Sequence, residues 1–162
     1  MTETKEGDFE LVSVNVSARL GMRKVSVDRV RFLAGKGIAG DAHAGLQEKR
    51  QVSLLAVEEI ETAAAELRTK LGADAPLARL EPGDFAENIT TRGLALHELP
   101  LGTVLEVGSA RLEVSQIGKE CHAGCEIRKL VGDCVMPRRG IFARVLESGE
   151  ASSADRGRYR IG

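Results

Sequence analysis

The chain has no tryptophan, one tyrosine, three histidines and three cysteines among 162 residues. It also lacks a surplus of charge, with a formal net charge of −1. So balanced a chain has no global attraction for nucleic acid or an anionic membrane surface, and neither is expected as a partner. Long apolar runs are missing too, so no segment is long enough to span a bilayer. The opening stretch MTETKEGDFE is polar and has neither the basic nor the apolar region of a secretory signal, which points to the cytoplasm. Three cysteines in a reducing compartment argue against a disulfide framework. They leave chemistry, a metal or simple burial as reasons for the thiols.

What is present is ordinary for a globular protein: 43% hydrophobic and 29% charged residues. The length suits one domain, residues 1–162, able to bury a core without staples. Residues 9–17 and 24–32 read as strands, the second with Val25 and Val27 alternating with Lys24, Ser26 and Asp28. A glycine-rich loop, AGKGIAGDAHAG, covers 34–45. After the short strand RQVSLL comes one clear amphipathic helix, with Val57, Ile60, Ala64, Leu67 and Leu71 on one stripe. Ser53 is its candidate N-cap and Gly72 its candidate stop. The segment 99–118 reads as a hairpin turning at Gly108-Ser109, and 140–150 and the tail supply further strands. Strands that do not alternate with helices predict a mainly β fold, an antiparallel barrel or sandwich with one main helix.

All three cysteines fall in GKECHAGCEIRKLVGDC, residues 118–134. A thiolate needs nearby positive charge to be populated at neutral pH. Cys121 has Lys119 two residues before it and His122 directly after it, with Arg128, Lys129, Arg138 and Arg139 following. That setting favours an activated thiolate at Cys121; the plainer reading is three small buried side chains. A zinc site built from Cys121, His122, Cys125 and Cys134 is poorly spaced, since C-x₃-C is not the usual knuckle. A redox pair would also prefer C-x-x-C.

Backbone N–H groups of a glycine-rich loop such as GIAGDAHAG can form an anion site, and Asp41 and His43 lie two residues apart in it. The loop is neither a Walker A sequence nor a dinucleotide fingerprint. Glu87 and Asn88 follow a Pro-Gly turn, where such pairs commonly hydrogen-bond loop backbone. Arg50 and Gln51 stand at a strand start, where they reach either solvent or an anionic ligand. His97 sits among apolar residues and reads as structural.

In this order, GIAGDAHAG, RQVSLL, LEPGDFAENITTRGL, LPLGTVLEVGSARLEVSQIGKECH and GDCVMPRRGIFARVL resemble the MOSC domain family, named for the C-terminal domain of molybdenum cofactor sulfurases. The version here resembles the small bacterial, stand-alone branch. The resemblance implies a β-barrel of the pyruvate-kinase-barrel-like type, with one main helix and short helical segments. It implies a sulfurtransferase-type role, carrying sulfur for a molybdenum–pterin cofactor or a related metal–sulfur centre. Cys121 would be the persulfide carrier or, alternatively, the molybdenum ligand of a cofactor-binding module or small reductase. Gly40, Asp41, His43 and Gly45 match the family's Gly-Asp-x-His-x-Gly loop, and Glu87 and Asn88 its Glu-Asn segment. Arg50, Lys119, His122, Arg128 and Arg138 complete the candidate cofactor-binding set. The chain has no room for the pyridoxal-phosphate domain of the large sulfurases. A sulfur-donor protein such as a cysteine desulfurase is therefore the expected partner, with a molybdenum enzyme or cofactor-synthesis protein as acceptor. A non-enzymatic zinc or assembly domain is the remaining alternative.

Overall fold

The computed structural model describes residues 5–20, 22–72, 74, 79–118 and 139–162. Its strands are β1 (Lys5–Val16), β2 (Val25–Val27), β3 (Arg29–Leu33), β4 (Gly37–Ile38), β5 (Val52–Ala56) and β6 (Ile89–Arg92). They continue with β7 (Val104–Val107), β8 (Ala110–Ile117), β9 (Ile141–Glu147), β10 (Gly149–Ser152) and β11 (Arg156–Ile161). The helix α1 covers Val57–Leu71, and short 3₁₀ turns cover Glu48–Arg50 and Leu96–Glu98.

Among the described residues, seven strands close a barrel in the order β1-β11-β7-β8-β9-β5-β6, returning to β1. The first half of β1 pairs with β11 and the second half with β6, so one long strand seals the ring. A register shift between Leu11 and Ser13 inserts an extra residue into β1. Phe9 and Leu11 point inward before it and Val14 after it, which a strict two-residue alternation does not allow. β5 and β6 run parallel, the one parallel pair among the described strands, and α1 is the crossover such a pair needs. A small second sheet, β10-β3-β4, adds Val30, Phe32, Ile38 and Ala151 to the barrel core.

The barrel interior holds Val52, Leu54, Ile89, Leu105, Leu112 and Ile141. On the outer side of β5, Leu55 and Phe142 pack with Ile60, Ala63 and Phe85 under α1. With a core on each face, every residue of β5 is buried. Among the described residues no helix is long and apolar enough to cross a membrane.

The barrel, the helix and the 104–117 hairpin agree with the sequence reading. Three details do not. Residues 24–32 hold two strands in different sheets, and the alternation fails at the start: Lys24 is 3% exposed and Val25 65%, whereas Val27 packs on the core as expected. Ser53 is not the helix cap. It lies within β5, and its hydroxyl bonds Ala86 O and Asn88 Oδ1 instead. The apolar stripe of α1 ends early: its buried residues are Val57, Ile60, Ala63 and Ala64, and Leu71 is exposed.

Candidate functional site

The glycine-rich loop leaves β4 and folds back on the turn that follows β1. Gly40 and Gly45 sit at φ of +81° and +74°, left-handed values that favour glycine. An added Cβ would meet nothing at either, so they are required by turn geometry and not by close packing. Ala42 N–H donates to Ser17 O at 2.8 Å and Gly45 N–H to Lys36 O at 2.9 Å, which locks the loop against both neighbours.

Within this lock lies a buried charge pair. Lys24 Nζ is 2.7 Å from Asp41 Oδ1, and neither side chain has exposed surface. Lys24 Nζ also lies 3.1 Å from His43 Nδ1 and 3.2 Å from Ser17 Oγ. Asp41 accepts from the N–H of Ser17 at 3.0 Å and of His43 at 3.2 Å. Burial alone would raise the Asp41 pKa. The His43 ring when its Nδ1 carries a proton, and in either tautomer the bond and charge of Lys24 and the Ser17 N–H, outweigh burial and hold the carboxyl well below the usual carboxylate range.

The His43 ring, 26% exposed, faces a pocket of about 210 Å³ lined also by Leu20, Leu46, Gln47, Arg50 and Phe142. Arg50 ends a 3₁₀ turn, and its guanidinium carbon stands 5.6 Å from the centre of the Phe142 ring, a cation–π distance. Arg50 Nε donates to Gln116 Oε1 at 3.2 Å, and Gln116 Nε2 donates to Gly118 O at 2.8 Å. Gly118 N–H in turn reaches Gly140 O at 2.7 Å, so the two ends bounding residues 119–138 are bonded together beside Arg50. Arg139 Nη1 lies 2.6 Å from His97 Nε2, so His97 is engaged at the same boundary.

The structure thus brings His43 and Arg50 to one pocket, with Asp41 directly behind. Glu87 and Asn88 do not line it. Both are fully buried. Glu87 accepts from the N–H groups of Gly83 and Phe85 and from the Thr90 hydroxyl. Burial pushes its carboxyl up to about 7, against the lowering effect of these donors. Asn88 bonds Ser53 N–H through Oδ1 and Asn15 O through Nδ2, tying β5 to β1. This clamp still bears on the site: Gly83 O accepts from Lys24 N–H at 2.8 Å. A Cβ on Gly83 would stand 2.2 Å from Lys24 O. Lys119, Cys121, His122, Arg128 and Arg138, together with Cys125 and Cys134, lie outside the described residues. Among the described residues no group of three or more His, Cys, Asp or Glu could hold a metal ion.

Sequence reasoning missed Lys24, Ser17, Gln47 and Phe142. Lys24 carried a signal only in hindsight of burial, since lysine in an alternating strand is ordinarily its solvated face.

A family model for the MOSC domain matches residues 39–156. The YuaD protein from Bacillus subtilis has the same fold, with a TM-score of 0.77 and 19% identity over 99% of this chain and 100% of that one. YiiM from Escherichia coli superposes at a TM-score of 0.66, with 18% identity over 96% of this chain and 70% of its own. YiiM from Geobacillus stearothermophilus gives 0.63, 21%, 90% and 71% in the same order. No curated protein matches the chain. The matched span runs from the glycine-rich loop through the Glu-Asn clamp and the hairpin into β11, and on that span the chain belongs to the MOSC domain family.

Proposed function

We propose that this barrel is a sulfur-handling domain, with Cys121 as the persulfide carrier for a molybdenum–pterin cofactor or a related metal–sulfur centre. The single observation that carries the reading is the chain of hydrogen bonds Arg50–Gln116–Gly118 at the edge of the pocket. Cys121 follows Gly118 by three positions in sequence, and Gly118 is bonded to the edge that presents Arg50, which supports the reading.

The chemistry balances without an added oxidant. The Cys121 thiolate attacks the terminal sulfur of a donor persulfide, R–S–SH. The new S–S bond makes Cys121–S–SH, and R–S⁻ leaves. A protein persulfide such as that of a cysteine desulfurase is the donor class this requires, and a molybdenum enzyme or cofactor-synthesis protein the acceptor.

The described residues fit the anionic portion of such a cofactor, because those lining the pocket include the Arg50 guanidinium and the His43 ring and, among the described residues, no carboxylate. Lys119, Arg128 and Arg138 are further cations in sequence, and His122 adds an imidazole beside Cys121. A molybdenum centre, when bound, would supply a soft Lewis acid, for which the Cys121 thiolate is a suitable ligand.

The test is the intact mass of purified protein with and without reductant, beside metal and pterin analysis of the same sample. A reductant-labile gain of one sulfur atom, absent in Cys121→Ser, supports the carrier. Stoichiometric pterin and molybdenum without added sulfur would transfer the assignment to a cofactor-binding module, and stoichiometric zinc to an assembly domain. A bare mass after incubation with a persulfide donor sinks the carrier reading.

A further inference from the structure

His43 is the member of the glycine-rich loop that reaches the pocket, and what it does there depends on which ring nitrogen carries the proton. An ammonium has three N–H donors and no lone pair, so every close polar partner of Lys24 Nζ must accept. Asp41 Oδ1 at 2.7 Å and Ser17 Oγ at 3.2 Å can do so. His43 Nδ1, at 3.1 Å, accepts only if it bears no hydrogen. In the other tautomer, Nδ1–H would reach for Asp41 Oδ2 across a longer 3.5 Å while facing the ammonium donor to donor. The shorter contact selects the form with its proton on Nε2. Among the described residues Nε2 has no hydrogen-bond partner, and the ring lines the pocket that Arg50 also lines. The Arg50 guanidinium likewise has donors alone.

We propose that Lys24 is a positioning residue that fixes His43 as an Nε2–H donor, so that His43 and Arg50 together present donors to an anionic sulfur-bearing ligand group. Two consequences are specific. His43 does not ligate a metal through Nε2 in this state, and it does not accept a proton there. Lys24 precedes the span that the family model matches, 39–156, so this role belongs to a part of the chain outside that match. The nature of the bound group rests on the sulfur-handling reading; the tautomer does not.

The test is imidazole ¹H–¹⁵N correlation spectroscopy on the full chain labelled at histidine. Three histidines make assignment simple, with His43→Gln identifying the signal. Wild-type protein at neutral pH should show the Nε2–H form of His43. In Lys24→Met the nearest remaining partner of Nδ1 is Asp41, and the signal should change to the Nδ1–H form; Lys24→Arg, which keeps a cationic donor, should restore it. An Nδ1–H signal in wild type overturns the proposal, even if Lys24→Met fails to fold. A folded Lys24→Met that keeps Nε2–H overturns the role of Lys24. Titration with thiosulfate should then move the Nε2–H resonance, with at least a tenfold weaker response in Arg50→Ala. No response in wild type removes the anionic ligand. An equal response to sulfate removes the preference for sulfur but leaves the tautomer standing, so this failure is separable from failure of the persulfide test.

Discussion

Lys24 and Asp41 place two opposite charges 2.7 Å apart with no exposed side-chain surface. Their mutual attraction offsets desolvation only while both are present. Lys24→Met strands a buried carboxylate and is expected to cost about 3–5 kcal/mol, read as a lower urea midpoint. Replacing both, Lys24→Met with Asp41→Leu, should recover part of that loss, because an apolar pair substitutes for the buried ion pair while the Ser17 and His43 N–H groups lose their acceptor. The two buried carboxyls respond oppositely to pH. The folded pKa of Asp41 is depressed, so its contribution is present above the unfolded value of about 4 and is lost as pH falls. The folded pKa of Glu87 is raised from 4.5 to about 7. The native state therefore keeps that proton longer than the unfolded chain, and its contribution declines as pH rises from about 4.5 to about 7. Glu87→Gln should flatten this slope in unfolding free energy against pH. It should also lower stability by about 1–3 kcal/mol, since an amide NH₂ would face a buried N–H or hydroxyl donor. An unchanged slope would assign the pH dependence to other groups.

Between β1 and β11, aromatic rings cover glycines. A Cβ on Gly157 would stand 2.1 Å from Cζ of Phe9, and one on Gly7 2.6 Å from the Tyr159 ring. Phe9 is a core residue, so Gly157→Ala must displace it and is expected to cost about 1–3 kcal/mol, seen as a lower melting temperature. Adding Phe9→Leu should return part of the loss; a strictly additive second loss would show that the ring is not what the new methyl meets. Elements whose pattern is local were legible from sequence. The β7–β8 hairpin declares itself through Leu105, Val107, Leu112 and Val114 about the Gly108-Ser109 turn. The helix declares itself through its charges, with Glu58 and Glu59 in the first turn and Arg68 and Lys70 in the last. The burial of Lys24 was not legible because the reason it turns inward is Asp41, seventeen positions downstream. Ser53 was misread as a cap for the same kind of reason, its partner Asn88 lying thirty-five positions away. Chemistry was legible in part: His43 and Arg50 were picked by type and context, but nothing local announces that Gln116 and Phe142 stand beside them.

At the scale of the molecule, the ring closes through six residue pairs from Lys5↔Ile161 to Glu10↔Arg156. Neither this closure nor the parallel β5–β6 pairing follows from periodicity, which reports which face is buried and not which strand lies next door. Deleting residues 156–162 would leave β1 and β7 with unpaired edges. The expected outcome is loss of the monodisperse species in favour of aggregates, followed by size-exclusion chromatography and light scattering. A folded monomer without β11 would show that the ring can stay open. The pair Lys5↔Ile161 has one more implication. Residues distant in sequence meet there backbone to backbone, so a short peptide bridging them would close residues 5–161 into a covalent circle without disturbing any strand. Such a circle can be reopened elsewhere, for instance in the exposed turn at Leu101 and Gly102, and the same neighbours would find each other. Circular permutation is thus built into this barrel: its architecture is a cyclic order of strands, and the point at which that order is first read is arbitrary.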